Sequence, residues 1–141
     1  MKDLSILYPV FALAAWTGIV LSVIPFVRIR AARRRQVVAD DFKYGESKTV
    51  PPDVSIPNRN FMNLLEVPVL FYVVCLLVFV TGGATPAELA LAWLYVALRV
   101  LHSVVHLGYN HVLHRLAVFA TSNTALLALW VLAALNLHGG S

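Results

Sequence analysis

The chain of 141 residues is 60% apolar and only 13% charged, and its mean hydropathy is +0.77. A soluble globular domain of this size does not carry so large an apolar excess, so the composition indicates an integral membrane protein. The only cysteine is Cys75, which excludes an internal disulfide bond.

Four apolar segments follow one another along the chain. Each is about 20 residues long, enough for a helix with ~1.5 Å rise per residue to cross a ~30 Å hydrocarbon layer. The segments lack the alternation of barrel strands, so we interpret them as helices. The expected fold is all-α, a single four-helix transmembrane bundle over residues 1–141. Its helices are predicted at about 5–35, 57–81, 86–109 and 114–137, with a loop at about 36–56.

Basic residues are concentrated after the first span. Eight of the eleven Lys and Arg residues lie between Arg28 and Arg59. The positive-inside rule therefore places the 28–59 loop in the cytoplasm and both termini on the opposite side. The run Arg33 to Arg35 beside a membrane end is typical of a topology signal that contacts anionic lipid, and we expect no nucleic-acid partner.

Prolines mark the ends and bends of the later helices. Pro57 fits the first turn of the second helix, with Ser55 or Asn58 near its N-cap. Pro68 predicts a kink just beyond Glu66. Thr85-Pro86-Ala87-Glu88 has the pattern of a capping box with proline at the first helical position, so the third helix begins there.

Two polar stripes cross the apolar spans. Arg59, Asn63 and Glu66 are spaced i, i+4 and i+7. In the third span, an arginine and two histidines are spaced i, i+3 and i+7, so each set shares one helical face. The second set consists of Arg99, His102 and His106. Because an ionisable side chain in a span costs roughly 2.5 to 3.5 kcal/mol on insertion scales, both stripes need partners or a function.

An ion pair between Glu66 and Arg99 would offset much of that cost. We predict this pair, with Asn63 and His102 completing its hydrogen bonds. The network either locks two helices together or lines a cytoplasmic pocket. In the pocket interpretation, arginines face the carboxylates of a small zwitterionic ligand and the glutamate faces its amine. The arginines of this wall are Arg59, Arg99 and Arg115.

The run from Arg59 to Glu66, followed by Pro68, resembles the MAPEG family, the membrane-associated proteins in eicosanoid and glutathione metabolism. The Arg99-x2-His102 pair in the third span strengthens the resemblance, which covers nearly the whole chain. The pattern is most similar to the microsomal prostaglandin E synthase and microsomal glutathione transferase branch and to bacterial relatives.

The resemblance implies a homotrimer that binds glutathione between subunits and uses it to conjugate or reduce lipophilic electrophiles. It implies a multi-pass protein of the bacterial inner membrane, in contact with lipids and a lipophilic small-molecule substrate. Arg115 matches the arginine that stabilises the thiolate, and Arg28 matches an arginine from the adjacent subunit. The other expected glutathione-binding residues are Arg59, Asn63, Glu66, Arg99, His102 and His106.

Three positions depart from the family pattern: His106 and Phe119 each stand where relatives carry tyrosine, and Leu116 stands in place of serine. One alternative is therefore a non-enzymatic membrane protein that binds an anionic metabolite or lipid headgroup in the same pocket. Another is a metal or haem site on His102 and His106, which the i, i+4 spacing permits. No metal site is assigned, because no H-E-x-x-H pattern is present.

Overall fold

The computed structural model describes residues 4–139, and over this range the chain contains helices and no β-strand. Four spans in the described range are long and apolar enough to cross a membrane, which confirms the all-α membrane fold. Residues 1–3 and 140–141, which include the termini predicted to lie outside the cytoplasm, are not among the described residues. The helices are α1 (Leu7–Arg33), α2 (Pro52–Leu65), α3 (Pro68–Thr81), α4 (Pro86–Leu107) and α5 (Val112–Gly139).

Helix α1 buries one narrow face and exposes the rest. Leu13, Val20 and Ile24 are buried at helical spacing, whereas Phe11 and Phe26 are more than half exposed. Such apolar exposure is expected where the surrounding solvent is lipid. At Arg35 the backbone turns into the left-handed region, with φ +57°, and this ends the helix.

Helix α2 begins at Pro52, five residues before the predicted start, so the assignment of Pro57 to the first turn is wrong. Pro52 takes the first helical position, where a missing N–H costs nothing. Pro57 lies inside the helix and removes one backbone hydrogen bond there. Ser55 and Asn58 are likewise inside α2, so neither is its N-cap.

The predicted kink at Pro68 is a complete interruption between α2 and α3. Leu65 ends α2, Glu66 adopts φ −78° and ψ −92°, and Pro68 begins α3. Because proline has no N–H, the ladder of α2 cannot continue through this position. The second span, Pro52–Thr81, therefore consists of two helices of 14 residues each.

The core lies where α1, α3, α4 and α5 meet. Phe71 and Val78 of α3 are buried there with Leu13 and Leu129. The ring of Phe71 stacks on Tyr95 of α4 at a centroid distance of 4.7 Å. These contacts fix the distance between α3 and α4 and so hold in place the polar residues of α4 one turn farther along.

Two glycines and a capping box connect α3 to α4. Gly82 and Gly83 have φ of +143° and +100°, conformations that side-chain-bearing residues rarely adopt. The Thr85 N–H donates to Glu88 Oε2 at 2.8 Å, and the Glu88 N–H donates to Thr85 Oγ1 at 3.3 Å. The predicted capping box is confirmed.

Candidate functional site

A cavity of about 370 Å³ opens between α2, the turn after α4, and the start of α5. Its volume is within the range of ~300 to 1,000 Å³ that small-molecule pockets occupy. Side chains from three separate parts of the chain line it, and most of them are polar. They are Ile56, Asn58, Arg59, Met62, Asn63, Glu66, His106, Asn110 and Arg115.

The wall from α2 carries the predicted polar stripe. Arg59, Asn63 and Glu66 all face the cavity, as their spacing on one helical face requires. Arg59 and Glu66 are exposed in the single chain and Asn63 is half-buried. Since Glu66 follows the last residue of α2, its carboxylate lies where the helix ends and the apolar α3 begins.

The opposite wall depends on the turn between α4 and α5. Asn110 adopts φ +50°, a left-handed conformation that asparagine tolerates better than most residues. Its N–H donates to the Val105 carbonyl at 2.8 Å, and its Oδ1 accepts from Arg115 Nη1 at 2.8 Å. Asn110 therefore holds both the turn and the guanidinium. The Arg115 Nε is buried without a hydrogen-bond partner in residues 4–139, so the cation retains an unused donor.

A second cavity of about 240 Å³ adjoins the first one, because both are lined by Asn63 and Arg115. Its other polar wall residue is His102. Leu116 and Phe119, two of the departures from the family pattern, also line it, so apolar side chains of α5 flank Arg115 in this cavity.

The histidines of α4 are both buried, with 3% exposure for His102 and 2% for His106. Their rings meet edge to face at 5.8 Å, and the Nδ1 of His106 has no hydrogen-bond partner in the described structure. Residues 4–139 contain no group of three or more His, Cys, Asp or Glu side chains that is suited to a metal ion.

The predicted ion pair between Glu66 and Arg99 is wrong. Arg99 is 1% exposed, and its Nε donates to the Tyr95 hydroxyl at 3.0 Å. Its Nη2 donates to Asn123 Oδ1 at 2.8 Å. The physical reason is geometric: Tyr95 lies one turn before Arg99 on α4, and Asn123 faces it from α5, whereas Glu66 is at the exposed end of α2.

Neutral partners leave the charge of Arg99 uncompensated. Its guanidinium lies 5.0 Å from the ring centre of Phe119 and 5.2 Å from that of Tyr95. Its Nη1 is buried and, within the described residues, donates to no partner. Arg99 does not line either cavity, so the structure separates it from the α2 stripe.

Arg28 lies apart from the cavity in the single chain. Its Nη2 contacts Glu46 Oε1 at 3.1 Å, and its guanidinium is 4.2 Å from the ring centre of Phe42. These two contacts join the loop to α1. The structure brings together Arg59, Asn63, Glu66, His106 and Arg115 in the larger cavity, places His102 in the adjoining one, and leaves Arg99 and Arg28 outside both.

Sequence reasoning missed three residues that position the site: Asn110, Tyr95 and Asn123. The spacing i, i+4 between Tyr95 and Arg99 was a usable signal for their contact. Asn123 was visible as an isolated polar residue in a span, a position that requires a partner. The role of Asn110 depends on its left-handed backbone, which sequence alone does not reveal.

Comparison with protein-family models matches residues 6–135 to the MAPEG family. The chain is a MAPEG protein. This family includes glutathione-dependent enzymes. Searches among curated proteins and among solved structures gave no significant match. The MAPEG assignment therefore establishes the family and the membrane bundle, and the larger cavity is the candidate site of this MAPEG protein.

Proposed function

We propose that the protein is a glutathione-dependent membrane enzyme that conjugates or reduces lipophilic electrophiles. The observation that carries the proposal is the meeting of Arg59, Glu66 and Arg115 around one cavity of about 370 Å³. Family membership adds support, because glutathione-dependent enzymes occur among MAPEG proteins.

The charges of the cavity are complementary to those of glutathione, which carries two carboxylates and one ammonium group. Arg59 and Arg115 supply two guanidinium groups, whose planar donors suit carboxylates, and Glu66 supplies one acceptor for the ammonium group. Asn63 and Asn58 add donors and acceptors for the peptide groups. A ligand of this size and charge would satisfy most of the polar lining.

Arg115 is the proposed catalytic residue. A fixed cation beside the sulfur favours the thiolate, which is the nucleophile, and Arg115 Nε has no other partner in residues 4–139. In conjugation, the sulfur forms a bond to the electrophilic carbon and the leaving group departs with its electron pair. In reduction of a hydroperoxide, two glutathione molecules become a disulfide while alcohol and water are released.

The remaining family residues act across a homotrimer in this proposal. Arg28 comes from the adjacent subunit and completes the anion-binding wall, while its contact with Glu46 orders the loop. Arg99 and His102 support the cavity from behind, and His106 forms part of its lining. The electrophile reaches the thiolate laterally, from lipid.

The proposed orientation places the loop of residues 36–56 and the glutathione site in the cytoplasm of a bacterial cell. Both termini then lie across the inner membrane. The native Cys75 is buried, with 0% exposure, so single engineered cysteines can report orientation against a low background. A membrane-impermeant maleimide applied to intact spheroplasts should label Ala87→Cys and leave Lys48→Cys unlabelled, since both positions are exposed. The reverse labelling would overturn the orientation.

Glutathione binding to the purified full-length protein tests the function most directly. Calorimetry in mild detergent should give saturable binding that weakens at least tenfold in Glu66→Ala and Arg115→Ala, because each loses a charge-assisted contact of ~1.5 to 3 kcal/mol. The matched control is Arg35→Ala, which removes an exposed arginine that does not line the cavity.

Turnover with 1-chloro-2,4-dinitrobenzene separates binding from catalysis. We expect Arg115→Ala to lower kcat more than Glu66→Ala does, since Arg115 acts on the sulfur and Glu66 on the remote ammonium group. Unchanged activity in both variants would refute the assignment of these residues.

A non-enzymatic binding protein is the second candidate, and one observation favours it. Leu116 and Phe119 give Arg115 an apolar flank without a hydroxyl. The exposed Tyr109 does not replace that hydroxyl, because its oxygen lies 2.9 Å from His114 Nδ1. This candidate predicts binding of an anionic metabolite or lipid headgroup with no thiol transfer to any model electrophile.

A further inference from the structure

The last two turns of α1 present a stripe that combines apolar and cationic side chains. Phe26, Ile29, Arg30, Arg33 and Arg34 follow the spacing i, i+3, i+4, i+7 and i+8, so they share one helical face. They line a groove of about 500 Å³. Phe26 is 68% and Ile29 is 55% exposed, so no other part of residues 4–139 covers this face.

The three arginines of the stripe have no ion-pair partner in the described part of the chain. The salt bridge formed by α1 joins Arg28 to Glu46. Because Arg28 is two residues after Phe26, it lies on the other side of the helix. Three unpaired guanidinium groups within about 6 Å of helix rise form a dense positive charge. Charge of this density attracts an anion that can bridge several arginines.

The length of α1 places the stripe at a defined depth. Its 27 residues extend about 40 Å, roughly 10 Å more than the hydrocarbon layer. With Leu7 at one edge of that layer, Phe26 lies at the other edge and Arg30 to Arg34 extend into the headgroup region. The apolar part of the groove thus meets acyl chains, and the cationic part meets phosphates.

Two neighbours of the stripe limit where an anion can lie. An adjacent groove of about 230 Å³ contains Asp53 beside Arg30 and Arg34, which disfavours an anion on that side. Arg35 has left the helix at φ +57° and does not line the groove. Arg33 is therefore the arginine of the stripe that does not share a groove with Asp53.

We propose that this groove is a binding site for one anionic phospholipid. The phosphodiester accepts hydrogen bonds from Arg30, Arg33 and Arg34, and an acyl chain lies along Phe26 and Ile29. From the sequence, the run Arg33 to Arg35 was expected to contact anionic lipid. In the structure the groove includes Arg30 and does not include Arg35. The site is separate from the cavity proposed for glutathione and does not depend on that function.

Native mass spectrometry of the full-length protein in mild detergent tests the site. The lipids are phosphatidylglycerol and phosphatidylcholine with identical acyl chains. We expect the protein to retain phosphatidylglycerol preferentially, and Arg30→Gln or Arg33→Gln to weaken that binding about fivefold each. Arg35→Gln is the matched control, because it makes the same charge change one or two residues from the groove and should leave the affinity unchanged.

The apolar half of the groove has its own variant. Phe26→Ala keeps every charge, so it should weaken the binding of both lipids equally and preserve the preference for phosphatidylglycerol. Glycerophosphoglycerol, the headgroup without acyl chains, should compete poorly because it lacks the contact with Phe26 and Ile29.

Four results would overturn the proposal. Equal losses in Arg33→Gln and Arg35→Gln would indicate bulk charge instead of a site. Competition by glycerophosphoglycerol at the affinity of the lipid would indicate a site for soluble anions. No effect of Phe26→Ala would remove the acyl-chain contact. Dissociation of the oligomer by Arg33→Gln, with lipid binding unchanged, would show that a second copy of the chain covers this face.

Discussion

Asn123 Oδ1 of α5 accepts a hydrogen bond from Arg99 Nη2 of α4 at 2.8 Å, and no carboxylate of residues 4–139 forms an ion pair with that guanidinium. A neutral amide can orient a cation but cannot cancel its charge. The bundle therefore holds a permanent positive charge between α4 and α5, near the candidate cavity.

Removal of the Asn123 amide should destabilise the bundle. Asn123→Leu leaves two guanidinium nitrogens of Arg99 without a partner instead of one, and an unsatisfied buried group costs about 1 to 3 kcal/mol, more for a charged one. Thermal unfolding in detergent measures the loss. Thr124→Val is the control, because that exposed hydroxyl bonds only to the Ala120 carbonyl of its own helix. Equal stability of the two variants would mean that the Arg99 contact is dispensable.

Gly108 and Gly18 form a matched pair for alanine substitution. A Cβ at Gly108 would lie 2.8 Å from the Val104 carbonyl oxygen, closer than real Cβ atoms come to another heavy atom, so the turn before α5 must shift. We expect Gly108→Ala to cost about 1 to 3 kcal/mol. A Cβ at Gly18 meets nothing within 4 Å, so Gly18→Ala should stabilise α1 by up to about 1 kcal/mol. Chemical denaturation of both variants checks the opposite signs.

Two substitutions at Asn110 distinguish its backbone role from its side-chain role. Asn110→Gly keeps the left-handed turn and loses only the contact with Arg115, so the fold should persist while thiol conjugation falls. Asn110→Ala also strains the backbone and should lower the unfolding temperature. The comparison uses kcat/KM for conjugation beside thermal unfolding. Full activity in a stable Asn110→Gly protein would contradict a positioning role for this residue.

The stability of the loop depends on pH through Asp41, and the lowered pKa of this residue gives the sign of the dependence. The Val38 N–H and the hydroxyls of Ser47 and Thr49 donate to this carboxylate and hold its pKa below the usual 3.8. Because the folded pKa is depressed, the stabilisation is present above the usual pKa and is lost as the pH falls through the lowered value.

Carbon-detected NMR titration of labelled aspartate checks this assignment. Ser47→Ala removes one donor, so the pKa of Asp41 should rise toward 3.8. Ser22→Ala serves as the control, since its hydroxyl bonds to the Gly18 carbonyl within α1. An identical Asp41 midpoint in Ser47→Ala would exclude the hydroxyl as a cause of the shift.

The fold was predictable where a signal is local, and less so where it depends on tertiary contacts. Apolar length predicts the spans, and the Thr85 to Glu88 pattern predicts the start of α4, because both effects depend on neighbouring residues. The start of α2 was wrong because Pro52 and Pro57 both fit a first turn, and only packing of the loop decides between them.

The candidate site was likewise predictable where the signal is local and not where it depends on tertiary contacts. Helical spacing alone brings Arg59, Asn63 and Glu66 to one wall of the cavity. The predicted partner of Arg99 was wrong because opposite charge favours Glu66, whereas α5 packs beside α4 and supplies Asn123. The left-handed turn at Asn110 has no local sequence signature that requires it.

The interruption of the second span also determines how far into the bilayer a hydrophilic molecule can be held. From Pro68 to Thr81 the chain offers no charged side chain, and its last carboxylate before that stretch is Glu66. A polar ligand that is held from this wall therefore stops at the level of Glu66, while a hydrocarbon-soluble molecule travels within the layer beyond it. The position of Pro68 therefore sets the depth at which this wall can bring such a ligand to a molecule dissolved in the layer.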